Sequence, residues 1–158
     1  MTTTTVFALA LAIGLVTGLR SLSAPMAVSL GAHWKWINLE NSRLAWMSST
    51  PAAYILVALA VVEIIVDKLP KTPSRKEPLG LIARAVLGGL SGMALCIAGH
   101  QSVVIGAVLG SVGGIIGAFV GYEVRTRLVR ALKVPDIVIA LLEDAVAVGG
   151  GLLLVSRF

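Results

Sequence analysis

Charge is scarce in this chain. Asp, Glu, Lys and Arg make up 13% of its 158 residues, against about 25% in an ordinary soluble domain. Hydrophobic residues reach 57%, where about 45–50% is usual, and the mean hydropathy is +0.94. So little polar material excludes a soluble enzyme, a disordered chain and a coiled coil. Cysteine is nearly missing too. Cys96 stands alone in an apolar run, so neither an intrachain disulfide nor a cysteine metal cage can form. Its expected place is that of a small hydrophobe in a helix. No H-E-x-x-H, P-loop or Rossmann fingerprint occurs, and no serine shares an evident element with a histidine. His33 and His100 read as loop residues. The chain is therefore read as a non-enzyme without a cofactor.

What is present is a series of long apolar runs. A helix needs about 20 residues to cross a hydrocarbon core of roughly 30 Å. The length accommodates about five such helices in one bundle spanning 1–158, with no separate soluble domain. The fold class expected is all-α and integral to a membrane. The first segment covers 6–19 and either stops there or continues past Arg20 and Pro25 to Leu30 as a broken helix. Residues 1–5 contain no Lys or Arg, so a cleavable signal is not indicated. The more polar stretch 33–50 carries Trp34, Trp36 and Trp46, all the tryptophans of the chain, and reads as interfacial. Further spans are expected at 51–69, 79–99, 103–122 and 134–155. A proline- and charge-rich loop at 71–78 and a basic segment at 123–133 separate them.

Positive charge tends to stay on the cytoplasmic side. With five spans, Lys68, Lys71, Arg75, Lys76, Arg84, Arg125, Arg127, Arg130 and Lys133 share one side, against Lys35, Arg43 and Arg157 on the other. That places the N-terminus in the cytoplasm and the C-terminus outside, whereas a re-entrant first segment would give four spans and reverse an end. The net charge of +5 then reflects topology and contact with anionic lipid head groups, not nucleic acid.

Glycine is abundant. Gly106, Gly110 and Gly114 recur every four residues, as do Gly113, Gly117 and Gly121, giving the fourth span two smooth faces. Gly14 and Gly18, and Gly88 and Gly92, repeat the spacing on other spans. Helices in lipid associate by close van der Waals packing, which such spacing permits. A pore lined by glycine backbone is the other reading. Two faces on one helix suggest one contact within the chain and one with a second copy, hence a homo-oligomer.

Ionisable groups at membrane depth are expensive, at about 2.5–3.5 kcal/mol each on insertion scales. Glu63 and Asp67, four apart, share a helix face. Glu143 and Asp144 lie well inside the last span, and Arg84 is one and a half turns into the third. Either these groups pair and pin helices together, or their surplus of carboxylates forms a cation or proton site. Oxygen ligands of that kind suit Mg²⁺, Ca²⁺ or Mn²⁺. Arg20, with Ser21 beside it, is expected at the outer end of the first span, there to bind an anionic head group or cap a broken helix.

Gly14-x₃-Gly18-Leu19-Arg20 resembles Gly117-x₃-Gly121-Tyr122-Glu123-Val124-Arg125, each followed by an acid-bearing helix. With five spans the two units run oppositely, as in the inverted repeats of transporters.

The segments Gly18-Leu19-Arg20-Ser21-x-x-Ala24-Pro25, Val62-Glu63-x₃-Asp67-Lys68-Leu69-Pro70-x-Thr72-Pro73-x-Arg75 and Leu142-Glu143-Asp144 resemble a bacterial membrane family, domain of unknown function 4126, along the whole chain. That resemblance implies a small inner-membrane protein and carries no activity. A looser similarity links Glu63-x₃-Asp67-Lys68 to the E-x-G-D-K motif of manganese/calcium exchangers, although the spacing here is one residue longer and the glycine is absent. The function expected is a small homo-oligomeric transporter or channel for a cation or proton. The rival is a non-transporting membrane module that holds lipid or a partner protein.

Overall fold

The computed structural model describes residues 1–68 and 77–158. The described residues are helical, with no strands, in the order α1 (Thr3–Leu19), α2 (Ser23–His33), a single 3₁₀ turn (Ala45–Ser48), α3 (Thr50–Val66), α4 (Pro78–Ala98), α5 (Val103–Leu132) and α6 (Asp136–Val155). Helices α4, α5 and α6 are long and apolar enough to cross a membrane, and α1 and α3 are apolar helices of 17 residues. This is the architecture of a membrane protein. Lys71, Arg75 and Lys76, with most of the D-K-L-P-x-T-P-x-R stretch, lie outside the described residues.

Local chemistry sets the helix ends. The Thr2, Ser49 and Ser102 hydroxyls accept from the backbone N–H groups of Thr5, Ala52 and Ile105, satisfying donors that a helix start leaves open. Pro51 and Pro78 stand in the first turns of α3 and α4, where the missing N–H costs nothing. Helix α5 runs ten residues beyond the expected end at Tyr122. The basic segment 123–133 is helical, not a loop, because it contains neither glycine nor proline and Arg127 reaches back to Glu123 at 2.8 Å. Lys133 adopts a left-handed conformation (φ 52°) that stops the helix, and Pro135 follows.

Helix directions follow from the close approaches. Gly14 lies against Gly110 and Gly18 against Gly117, so α1 runs parallel to α5. Gly92 meets Gly106 while Gly88 meets Gly110, so α4 is antiparallel to both. Ser23 and Ala27 meet Gly151 and Gly31 meets Val155, which aligns α2 with α6. Since α6 returns from α5 through a three-residue turn, α2 returns along α1. The first segment is thus a helical hairpin broken at 20–22, with both open ends at the same end of the bundle.

Several sequence expectations change as a result. The first segment takes the broken form, reversing at 20–22, and the described residues hold six α-helices, three of them long and apolar enough to cross a membrane. The N-terminus lies at the end of the bundle opposite the C-terminal ends of α3 and α5. Because α1 and α5 are parallel, the two similar glycine units are not inverted. Both glycine faces of α5 are occupied inside one chain: Gly106, Gly110 and Gly114 meet Gly92, Gly88 and Arg84, while Gly113 and Gly117 meet backbone of α1. Neither is left for a second copy.

The tryptophan segment lies at the open end of the hairpin. Ile37, Leu39, Leu44 and Met47 anchor it in the core, and Trp34 and Trp36, with ring centroids 5.0 Å apart, remain partly exposed.

Candidate functional site at the hairpin tip

The break at Arg20 creates a physical problem that the surrounding helices solve. A helix end exposes unsatisfied carbonyls or N–H groups, and no water is at hand in a bilayer interior to meet them. Arg20 is extended (φ −140°, ψ 118°) and fully buried. At the end of α1, Arg84 from α4 donates through Nε to the Gly18 carbonyl at 3.2 Å and through Nη1 to the Gly80 carbonyl at 3.1 Å. At the start of α2, Glu63 from α3 accepts from the Ser21 N–H at 2.8 Å, the Ser21 hydroxyl at 2.6 Å and the Leu22 N–H at 2.8 Å. A cation therefore meets the negative end of one helix dipole and an anion the positive end of the next.

Arg20 itself joins two further helices. Its Nε donates to Asp144 Oδ1 at 2.5 Å, and its Nη1 donates to Asp67 Oδ2. Lys68 Nζ donates to Asp144 Oδ2 at 2.6 Å and to the Ile64 carbonyl at 2.9 Å. Among the described residues the tip holds Arg20, Lys68 and Arg84 with Glu63, Asp67 and Asp144, three charges of each sign. At 1.5 Å per residue, Arg84 stands about 9 Å from the start of α4, and Asp144 about 12 Å from the start of α6.

The sequence-based site is therefore redistributed. Glu63, Asp67, Asp144 and Arg84 do converge, but Arg20 is at their centre, not at the far end of a span. Glu143 points away, since consecutive helical residues are about 100° apart. It pairs with Arg125 Nη1 at 3.4 Å, while Arg125 grips Asp136 through two bonds of 2.8 and 2.5 Å. The expected surplus of carboxylate disappears once Arg20 and Lys68 are counted in and Glu143 is counted out. Among the described residues no group of three or more His, Cys, Asp or Glu side chains could hold a metal ion. Lys68 and Arg125 belong to these ion pairs but are not among the residues that the sequence singles out. Their loop positions in the five-span reading hid them, although Lys68 lies five residues from Glu63 and Arg125 eleven from Asp136.

Two buried polar atoms in this region have no partner, Arg20 Nη2 and Ser23 Oγ. Both are donors, and each tip carboxylate already accepts at least one hydrogen bond. Nearby, α5 and α6 diverge around a cleft of about 220 Å³ lined by Leu19, Val120, Gly121, Val124, Arg125, Leu128, Ile139, Leu142, Glu143 and Val146.

Searches of curated proteins and of solved structures found no match to this chain. The model of one family, described as a domain of unknown function (DUF4126), matches residues 7–156. The break around Arg20 and the acids of α3 and α6 that meet it all lie inside that match, and the chain belongs to this family.

Proposed function

We propose that the protein is a small transporter of the bacterial inner membrane that recognises an anionic group at the buried tip of its first hairpin. In this reading α3, α4, α5 and α6 cross the bilayer and α1–α2 re-enters from one side. The basic termini of α3 and α5 face the cytoplasm under the positive-inside tendency, which puts both chain termini outside.

The observation that carries the proposal is the unspent donor capacity of Arg20 Nη2 and Ser23 Oγ. A buried polar group without a partner costs about 1–3 kcal/mol, and a ligand bearing acceptor oxygens removes that cost. Helices broken at membrane depth, with an N-terminus presented to an acidic group, are a recurring transporter device. Ser23 stands in the first turn of such a helix. Cation binding has less support, because among the described residues the tip's three carboxylates are matched by three cations and each already accepts a hydrogen bond.

Flux into proteoliposomes tests this with chloride, inorganic phosphate and acetate, in wild type and in Arg20→Lys and Ser23→Ala. Anion flux that falls at least tenfold in both folded variants supports the reading. Flux of protons or Mg²⁺ that is lost in Glu63→Gln overturns it in favour of a cation pathway. Absence of flux for every ion overturns transport itself.

A further inference from the structure

The start of α2 holds one more open donor than the two unpaired side-chain atoms. A helix leaves its first backbone N–H groups without partners inside the helix, and at α2 each can be followed. Those of Ser21 and Leu22 go to Glu63. That of Ser23 reaches the Arg20 carbonyl at 3.3 Å, and Pro25 has none. Ala24 is left. It is fully buried, and among the described residues nothing accepts from its N–H. A buried N–H group without an acceptor is rare. The bond from Ser23 to the Arg20 carbonyl closes the turn 20–23, so Arg20 Nη2, Ser23 Oγ and the Ala24 N–H belong to one turn of chain.

Polarity, room and charge each limit what these donors can hold. A guanidinium N–H, a hydroxyl and an amide at the positive end of a helix dipole all call for an acceptor. Thr17, Arg20, Ser23, Ala24 and Pro25 are fully buried, which leaves no exit for the carbon tail that a larger carboxylate brings. Phosphate presents four oxygens, more than three donor groups can serve. Asp144 and Asp67 accept from the other nitrogens of the same guanidinium. Their repulsion of a dianion is twice that of a monoanion.

We propose that the occupant of the tip is a halide ion, held by Arg20 Nη2, Ser23 Oγ and the Ala24 N–H. This rests on the reading of the tip as an anion site and narrows it to a bare monovalent ion. The two flanking carboxylates keep the ion weakly held, so that it can leave again, as conduction requires.

The test is line broadening of the chloride NMR signal by the full chain in detergent micelles, with gluconate holding ionic strength constant. Wild type should broaden the signal beyond micelles alone, and bromide should cut that excess at least fivefold. Acetate and inorganic phosphate at the same concentration should cut it less than twofold. A folded Ser23→Ala should lose at least fivefold of the excess. No excess broadening overturns the proposal, as does displacement by acetate or phosphate equal to that by bromide, or full broadening in Ser23→Ala. The two readings fail separately. Phosphate or acetate flux that depends on Arg20, without halide binding, leaves the anion transporter standing and removes the halide. Halide binding that depends on Ser23, without flux of any ion, keeps the halide site and removes transport.

Discussion

Two regions of this molecule hold helices together by opposite means. Along the seam of α1, α4 and α5 the contact is made by the absence of side chains. A Cβ added at Gly14, Gly18, Gly88, Gly92, Gly106, Gly110, Gly113, Gly114 or Gly117 would fall inside van der Waals contact with backbone of a neighbouring helix. At the hairpin tip the contact is made by long charged side chains that reach from α1, α3, α4 and α6 into one buried place. The seam is steric and non-directional, so it tolerates no added atom. The tip is electrostatic and tolerates no lost partner. The difference follows from the break at Arg20. A continuous helix needs only a smooth face to pack in lipid, whereas a helix end must also satisfy its backbone groups.

The largest effect should come from unbalancing the tip. Asp144→Ala leaves Arg20 and Lys68 without their shared carboxylate, and losing one partner of a buried ion pair costs about 3–5 kcal/mol. Reversible unfolding by denaturing detergent, followed by helical circular dichroism, measures this. A loss below about 1 kcal/mol would mean that water reaches Arg20 and that the tip is not a buried network.

Next in size is the seam. Gly117→Ala drives a methyl group into the Leu15 carbonyl and the Gly18 backbone, and such overpacking costs about 1–3 kcal/mol. Gly149→Ala is its control, since nothing lies within 4 Å of that added Cβ. There the better helix propensity of alanine should leave stability unchanged or raise it by up to about 1 kcal/mol. Equal losses at the two positions in the same unfolding assay would break the distinction between a steric seam and a lipid-facing glycine.

How much of this was legible in the sequence differs between the two regions. The period of four in Gly106, Gly110 and Gly114 can be read directly, because it is local to one helix. Which helix each face meets is long-range information: Gly113 and Gly117 meet α1 of the same chain, so the second face does not itself call for a second copy. The tip was half legible. Glu63 and Asp67 share a face by spacing alone, and the cost of charge in lipid marks them with Asp144 and Arg84 as special. Arg20 stands out as a charge in an apolar run, but a full crossing at 6–19 places it at the end of the bundle away from Asp67 and Asp144, where the structure does not put it. The fold turns on whether the chain reverses at 20–22, and Arg20-Ser21-Leu22 contains no glycine or proline to signal it. What stabilises the reversal is Glu63 and Arg84, which lie more than forty residues downstream.

A subtler test of the tip concerns its cap. Glu63→Gln keeps one carbonyl oxygen for the α2 N-terminus but removes the negative charge that opposes the helix dipole. Losing a cap interaction costs about 0.5–2 kcal/mol, and the charge contributes about 0.3–1 kcal/mol of such effects. The expected loss is therefore about 1 kcal/mol, with protection of the Ser21 and Leu22 amides falling in hydrogen exchange before any change in α6. If exchange rises equally along α3 and α6, Glu63 is holding the whole network and not only the start of α2.

The smallest effect should come from an ion pair with the same chemistry as the tip but a different setting. Arg127 and Glu123 lie 2.8 Å apart on the exposed last turns of α5, with side-chain exposures of 76% and 53%. Pairs of this kind contribute about 0.3–0.5 kcal/mol and are screened by salt. Arg127→Ala should therefore change stability by no more than that, and the change should vanish at high ionic strength, unlike the loss in Asp144→Ala. A loss of several kcal/mol that persists in salt would show that the end of α5 is covered in the membrane by lipid or by another protein. The contrast between tip and surface would then be one of partners, not of depth.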